Sequence, residues 1–115
     1  MITVMIIDDE KDAQELIKEY LGCYTNFQIL GICENGRDAV LQINACKPDI
    51  IFLDVNLPCF DGFQVITQLT HEPQVIMTTA HDYYAVKAFD HDAIDYLLKP
   101  FSLERFEMAL KKILY

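Results

Sequence analysis

The sequence predicts a doubly wound α/β domain, and three observations predict it. Four short runs, Val4-Met5-Ile6-Ile7, Ile50-Ile51-Phe52-Leu53, Val75-Ile76-Met77-Thr78 and Tyr96-Leu97-Leu98, are rich in branched residues and apolar on both faces. Strands of a parallel sheet covered by helices on both sides have that character. Amphipathic stretches alternate with the runs, and right-handed crossovers between parallel strands place such helices on both faces. Each run also ends in polar residues, Asp8 and Asp9, Asp54, Thr79 and Lys99. The carboxyl ends of parallel strands share one edge, where open α/β sheets bind ligands, so these side chains are expected in one crevice.

Each element follows from local pattern. After the first strand, Ala13, Leu16, Ile17, Tyr20 and Leu21 keep the spacing of one buried face, which predicts a helix from about Lys11 to Leu21. A strand near Gln28 to Cys33 and a helix near Arg37 to Ala45 follow, then the third strand and a helix near Gly62 to Leu69. The fourth strand leads to a helix over Tyr83 to Phe89. The last helix runs from about Leu103 to Leu114 through Leu103, Phe106, Leu110, Ile113 and Leu114. Five β-α units, and so five helices, imply a five-stranded parallel sheet of order 2-1-3-4-5.

Composition bounds the function. The 115 residues fit a single domain over 1–115, long enough to bury a sizeable core, without repeat, linker or low-complexity tract. Hydrophobic residues make up 52% of the chain, yet no apolar run has the length of a membrane span. Met1 leads directly into the first strand pattern, so no signal peptide is expected. Cys23, Cys33, Cys46 and Cys59 lack any C-x-x-C spacing and read as reduced thiols of a cytoplasmic protein. A formal net charge of −9 disfavours direct binding to nucleic acid or an anionic membrane and points to proteins or cations as partners.

The crevice poses an electrostatic problem. Unit charges about 4 Å apart repel by roughly 4 kcal/mol at an effective dielectric near 20, so Asp8, Asp9 and Asp54 need compensation. A Mg2+ ion, which prefers oxygen ligands and retains waters, would supply it, with Lys99 adding charge from the opposite side. The plainer alternative is that Asp8 and Asp9 cap the first helix, for which one would suffice.

Asp8-Asp9, Asp54-Val55-Asn56-Leu57-Pro58 with Asp61-Gly62, Thr79-Ala80 and Lys99-Pro100-Phe101 together resemble the receiver domain of two-component response regulators. The resemblance covers essentially the whole chain and implies the flavodoxin-like receiver fold. The stretches 78–89 and 93–101 look most like receivers attached to LytTR-type DNA-binding domains. The resemblance implies that Asp54 accepts a phosphoryl group from a sensor histidine kinase, making the chain a signalling phosphoacceptor and not an enzyme acting on external substrates. It also implies that Asp9 and Asp54 hold Mg2+ directly, Asp8 through water and Asn56 through its backbone carbonyl. Lys99 and Thr79 would contact the phosphoryl oxygens, and the Lys99-Pro100 peptide would be cis.

The resemblance further implies a switch. Thr79 moves toward the phosphoryl group, Tyr96 rotates inward, and the face built by the fourth helix, fifth strand and fifth helix controls homodimerisation. Asn56 and His81 match positions that tune access of water to the acylphosphate. The output would be transcription, reached through a DNA-binding effector domain that this chain lacks. Kinase specificity is expected on the first helix around Asp12, Glu15, Lys18 and Glu19. Tyr83, Tyr84 and Phe89 are expected to contribute an apolar dimer patch, with some of them in the core. Lys87, Asp95, Glu104 and Arg105 are expected either in intersubunit ion pairs or solvated singly.

Cys59 stands where receivers often carry glycine, and is expected to be structural filler. Three rival readings stand beside the receiver. A haloacid-dehalogenase phosphatase needs a second acid where Asn56 stands, and a flavodoxin-like cofactor binder needs a phosphate loop where Asp8-Asp9-Glu10 stands. A pseudo-receiver acting as a constitutive binding module would not need the complete phosphotransfer set found here.

Overall fold

The computed structural model describes residues 1–113. Five parallel strands, β1 (Ile2–Ile7), β2 (Phe27–Cys33), β3 (Ile50–Asp54), β4 (Gln74–Thr79) and β5 (Asp95–Leu98), lie in the order β2-β1-β3-β4-β5. The expected topology is the observed one. Five α-helices follow the strands in turn: α1 (Lys11–Leu21), α2 (Gly36–Cys46), α3 (Gly62–Thr67), α4 (Ala85–Asp90) and α5 (Leu103–Leu110).

The sheet separates two apolar layers. On one face Ile17 and Leu21 of α1 and Phe106, Ala109 and Leu110 of α5 pack on Val4, Ile6, Phe52 and Ile76. Phe106 stacks on Phe52 at 5.2 Å between ring centroids, and Tyr20 packs against the same ring at 5.3 Å. On the other face Ala39 and Ile43 of α2, Phe63 and Val65 of α3 and Ala88 of α4 cover Met5, Ile7, Ile51 and Leu53. Every residue of β3 is buried, as a central strand covered on both faces must be.

Several helices are shorter than their apolar pattern. α3 stops at Thr67 because the Thr67 hydroxyl bonds back to the Gln64 carbonyl and Gln68 N–H reaches Val65 in a tighter turn. The Asn44 side chain then receives the N–H groups of Thr70 and His71. α4 is preceded by one 3-10 turn over Asp82–Tyr84, so the expected helix starts as a tighter coil. α5 ends at Leu110, where Lys112 and Ile113 bond three residues back to Ala109 and Leu110. Ile113 is buried beyond the helix, and Leu114 lies outside the described residues.

Candidate functional site

The end of β1 is fastened before any ligand is considered. Asp8 N–H bonds to Cys33 O at 3.0 Å, and its Oδ1 accepts the Glu10 N–H at 2.9 Å. Gln14, a buried amide on α1, donates to the Asp8 carbonyl at 2.7 Å and to Glu34 Oε2 at 3.1 Å. Helix capping does not account for the acidic pair, because the residue at the start of α1 is Glu10 and its side chain makes no capping bond.

Asp54 closes β3 with its side chain buried, its Oδ1 accepting Asn56 N–H at 3.2 Å. The start of α3 presses on this strand end. A Cβ at Gly62 would sit 2.6 Å from the Asp54 carbonyl oxygen, so only glycine allows the approach. Asp61 caps α3 in a reciprocal pair with Gln64, so Asp61-Gly62 has a structural task beside the site.

Lys99 directly follows β5 and is tied to the end of β4 by its N–H, which donates to Thr79 O at 2.8 Å. The Lys99-Pro100 peptide is cis, as expected. Its ammonium lies 2.9 Å from Asp8 Oδ2, 2.8 Å from Glu10 Oε1 and 3.3 Å from Asp54 Oδ2. Oxygens of Asp8, Asp9, Glu10 and Asp54 all fall within 4.8 Å of one another. The crevice expected from strand ends therefore forms.

Charge is unevenly balanced there. Burial, and then the Asp8 carboxylate, push the Asp54 carboxyl up to about 6, against the opposing pull of Lys99 and the Asn56 N–H. For Lys99, burial disfavours the charge, but Glu10, Asp8 and Asp54 outweigh it and raise its pKa above the ordinary lysine value. Asp8 Oδ2 is buried, and the Lys99 ammonium 2.9 Å away is its counter-charge. The carboxylates of Asp8, Asp9 and Asp54 crowd one crevice, Asp8 and Asp54 sharing the Lys99 ammonium, and this hard-oxygen donor set fits a divalent cation of the Mg2+ type.

A polar chain leads outward from the crevice. Asn56 Nδ2 donates to Thr79 Oγ1 at 3.4 Å, and the same hydroxyl oxygen accepts His81 N–H at 3.2 Å. The Tyr84 hydroxyl donates to Asn56 Oδ1 at 3.4 Å. The Tyr96 hydroxyl accepts Tyr84 N–H at 3.2 Å and donates to the His81 carbonyl. Thr79, Asn56, His81 and Tyr96 are thus joined through the loop between β4 and α4.

Comparison with known proteins agrees with this geometry. The family model for the response regulator receiver domain matches residues 4–111. The chain belongs to the response regulator receiver domain family. A response regulatory protein of Shewanella oneidensis is 39% identical over 98% of this receiver and 49% of its own length. Transcriptional regulatory protein BtsR of Escherichia coli K12 is 36% identical over 98% of the receiver and 48% of its own length. The receiver spans about half the length of the curated relatives it matches. Among solved structures, the response regulatory domain of mrkE from Klebsiella pneumoniae superposes with a TM-score of 0.88 at 34% identity, covering 96% of this receiver and 93% of that chain.

Some contacts of the receiver's crevice are not legible in its sequence. Gln14 was missed because its place on the buried face of α1 is visible only once Asp8 and Glu34 flank it. Glu10 and Tyr84 meet Lys99 and Asn56 only through the fold. Asp95 and Arg105 correct the expectation of single solvation. They form a bidentate pair within the receiver at 2.8 and 2.6 Å, joined by Lys112 at 3.3 Å. Cys59 is exposed with φ 71°, a left-handed backbone that favours glycine. Tyr83 and Phe89 are exposed, Tyr84 is half-buried, and the buried residue of α4 is Ala88. The α1 residues Asp12, Glu15, Lys18 and Glu19 are exposed, as expected.

Proposed function

We propose that this receiver, residues 1–115 as one domain, takes a phosphoryl group onto Asp54 from the phosphohistidine of a sensor histidine kinase. The observation that carries the reading is a buried Asp54 carboxylate with the Lys99 ammonium 3.3 Å away, beside the Asp8, Asp9 and Glu10 oxygens. A carboxylate attacks phosphorus without first losing a proton, so the protein's work is positioning and charge neutralisation. β3 and the close approach of Gly62 hold Asp54 in place. Lys99 neutralises charge on the transferring group, and Thr79 offers its hydroxyl to another phosphoryl oxygen.

Mg2+ would be held by Asp9, Asp54 and the Asn56 carbonyl, with Asp8 acting through water, and when bound it supplies charge neutralisation at the transferring oxygens. Asn56 and His81 set how water reaches the product. Modification shifts Thr79 and Tyr96 and reshapes the face of α4, β5 and α5, which controls homodimerisation. Output is transcriptional, through an effector domain of the LytTR type outside this chain, so DNA is not touched by the receiver itself. No helix among the described residues is long and apolar enough to cross a membrane, and the proposed place of action is the cytoplasm.

The test is phosphoryl uptake from radiolabelled acetyl phosphate with and without Mg2+. Wild type is expected to take label only with Mg2+, Asp54→Asn to take none, and Asn56→Ala to lose label with an altered half-life. Uptake by Asp54→Asn, or none by wild type under any condition, would sink the proposal and favour a pseudo-receiver with a constitutive protein partner.

A further inference from the structure

Phosphotransfer to Asp54 leaves one carboxylate of the crevice without a task. Glu10 follows the acidic pair at the start of α1, yet its side chain makes no bond to the helix N-terminus. It turns instead to Lys99. Glu10 Oε1 stands 2.8 Å from the ammonium, closer than Asp54 Oδ2 at 3.3 Å. The two partners differ in access: the Glu10 side chain is 63% exposed and that of Asp54 3%. Glu10 therefore covers Lys99 from the solvent side, the side from which a phosphoryl donor must come.

We propose that Glu10 is an exchangeable counter-ion of Lys99 that an incoming phosphoryl group displaces, and that it makes the site discriminate against donors of higher negative charge. The inference rests on the phosphotransfer reading above. Lys99 serves the carboxylates of Asp8, Asp54 and Glu10 at once, and phosphoryl oxygens compete for the same ammonium. Asp8 and Asp54 are fixed on strand ends, whereas Glu10 swings free by side-chain rotation alone. In the transfer itself an Asp54 oxygen forms the new bond to phosphorus as the bond from phosphorus to the acetyl oxygen breaks. Acetate leaves with the electron pair and no proton moves. Glu10 takes no part in bond making; it sets the electrostatic cost of approach.

Glu10→Gln removes the charge and keeps the shape. It is compared with wild type using acetyl phosphate, mainly a dianion at neutral pH, and phosphoramidate, mainly a monoanion. The variant is expected to take up phosphoryl from acetyl phosphate about fivefold faster at low salt, the factor for one exposed charge interaction at the upper end of its usual range. The gain with phosphoramidate is expected to be about twofold or less, and both gains should shrink at high ionic strength. Mg2+ affinity, measured by calorimetry without donor, is expected to change by less than about threefold. Equal wild-type and variant rates with acetyl phosphate would overturn the inference, as would equal acceleration with both donors, which marks a steric effect. A loss of Mg2+ affinity above about tenfold would also overturn it, because that size of effect marks a residue that supports the metal's ligands and not a counter-ion of Lys99. Failure of wild type to accept phosphoryl from either donor would remove the phosphotransfer reading itself, and this inference with it.

Discussion

Opposed demands meet on Asp54, whose carboxylate is buried beside Asp8 and, under the proposed phosphotransfer, must still be ionised to attack. Its carboxyl is pushed up to about 6 from an ordinary 3.8, first by burial and then by Asp8. Folding therefore favours the protonated form. Stability from this group is fully present below the unfolded value near 4 and is lost as pH rises through about 6. Asp54→Asn is expected to be more stable than wild type at pH 8, by on the order of 2 kcal/mol, with the gap closing below pH 4. Denaturant unfolding across that range checks it, and a variant less stable than wild type at pH 8 would contradict the assigned strain. Asp8, Asp9, Asp54, Thr79 and Lys99 were legible as site candidates because each ends an apolar run. Gln14 was not, since one amide on a helix face has no period to betray it.

Between β5 and α5 the Asp95–Arg105 clasp fixes how the last helix meets the sheet. Arg105 also donates to the Tyr96 carbonyl at 3.2 Å, so the clasp reaches the backbone of the proposed switch residue. Burial disfavours the Asp95 charge, but the Arg105 guanidinium, the Tyr96 N–H and Lys112 together hold its carboxyl below the ordinary range. Its stabilisation is present above the unfolded pKa and is lost as pH falls through the lowered folded value. Asp95→Asn is expected to cost about 1–3 kcal/mol at pH 7, and less as acid protonates the wild-type group. A urea series at two pH values reads both effects; no loss at pH 7 would show the clasp to be inert. This pairing was illegible in the sequence because ten residues separate Asp95 from Arg105, across a strand end, a loop and a helix start.

Across the whole molecule, the crevice and the exposed face of α4 are joined by Thr79, Asn56, Tyr84 and Tyr96. Tyr83, Val86 and Phe89 present 68%, 74% and 80% of their surface beyond that chain, an apolar face on which the proposed homodimerisation would rest. Moving such an equilibrium from 1:99 to 99:1 needs about 5.5 kcal/mol of differential stabilisation, within reach of several charge-assisted bonds to one phosphoryl group. Tyr96→Ala is expected to keep phosphoryl uptake while losing phosphate-dependent dimerisation, read by light scattering with beryllofluoride. Dimerisation in that variant at the wild-type level would exclude Tyr96 as the coupling element.

The sequence by itself determined the sheet order, the edge on which the site forms and most of its charged residues. Buried strands need runs apolar on both faces, and polar residues are tolerated where those runs end. Tertiary structure decided the length of α3 and α5, the left-handed turn at Cys59, and the partners of Glu10, Gln14, Tyr84 and Arg105. Periodicity records which side of an element is apolar. It carries no record of which polar groups, 10 to 89 residues apart along the chain, satisfy one another once the elements have packed.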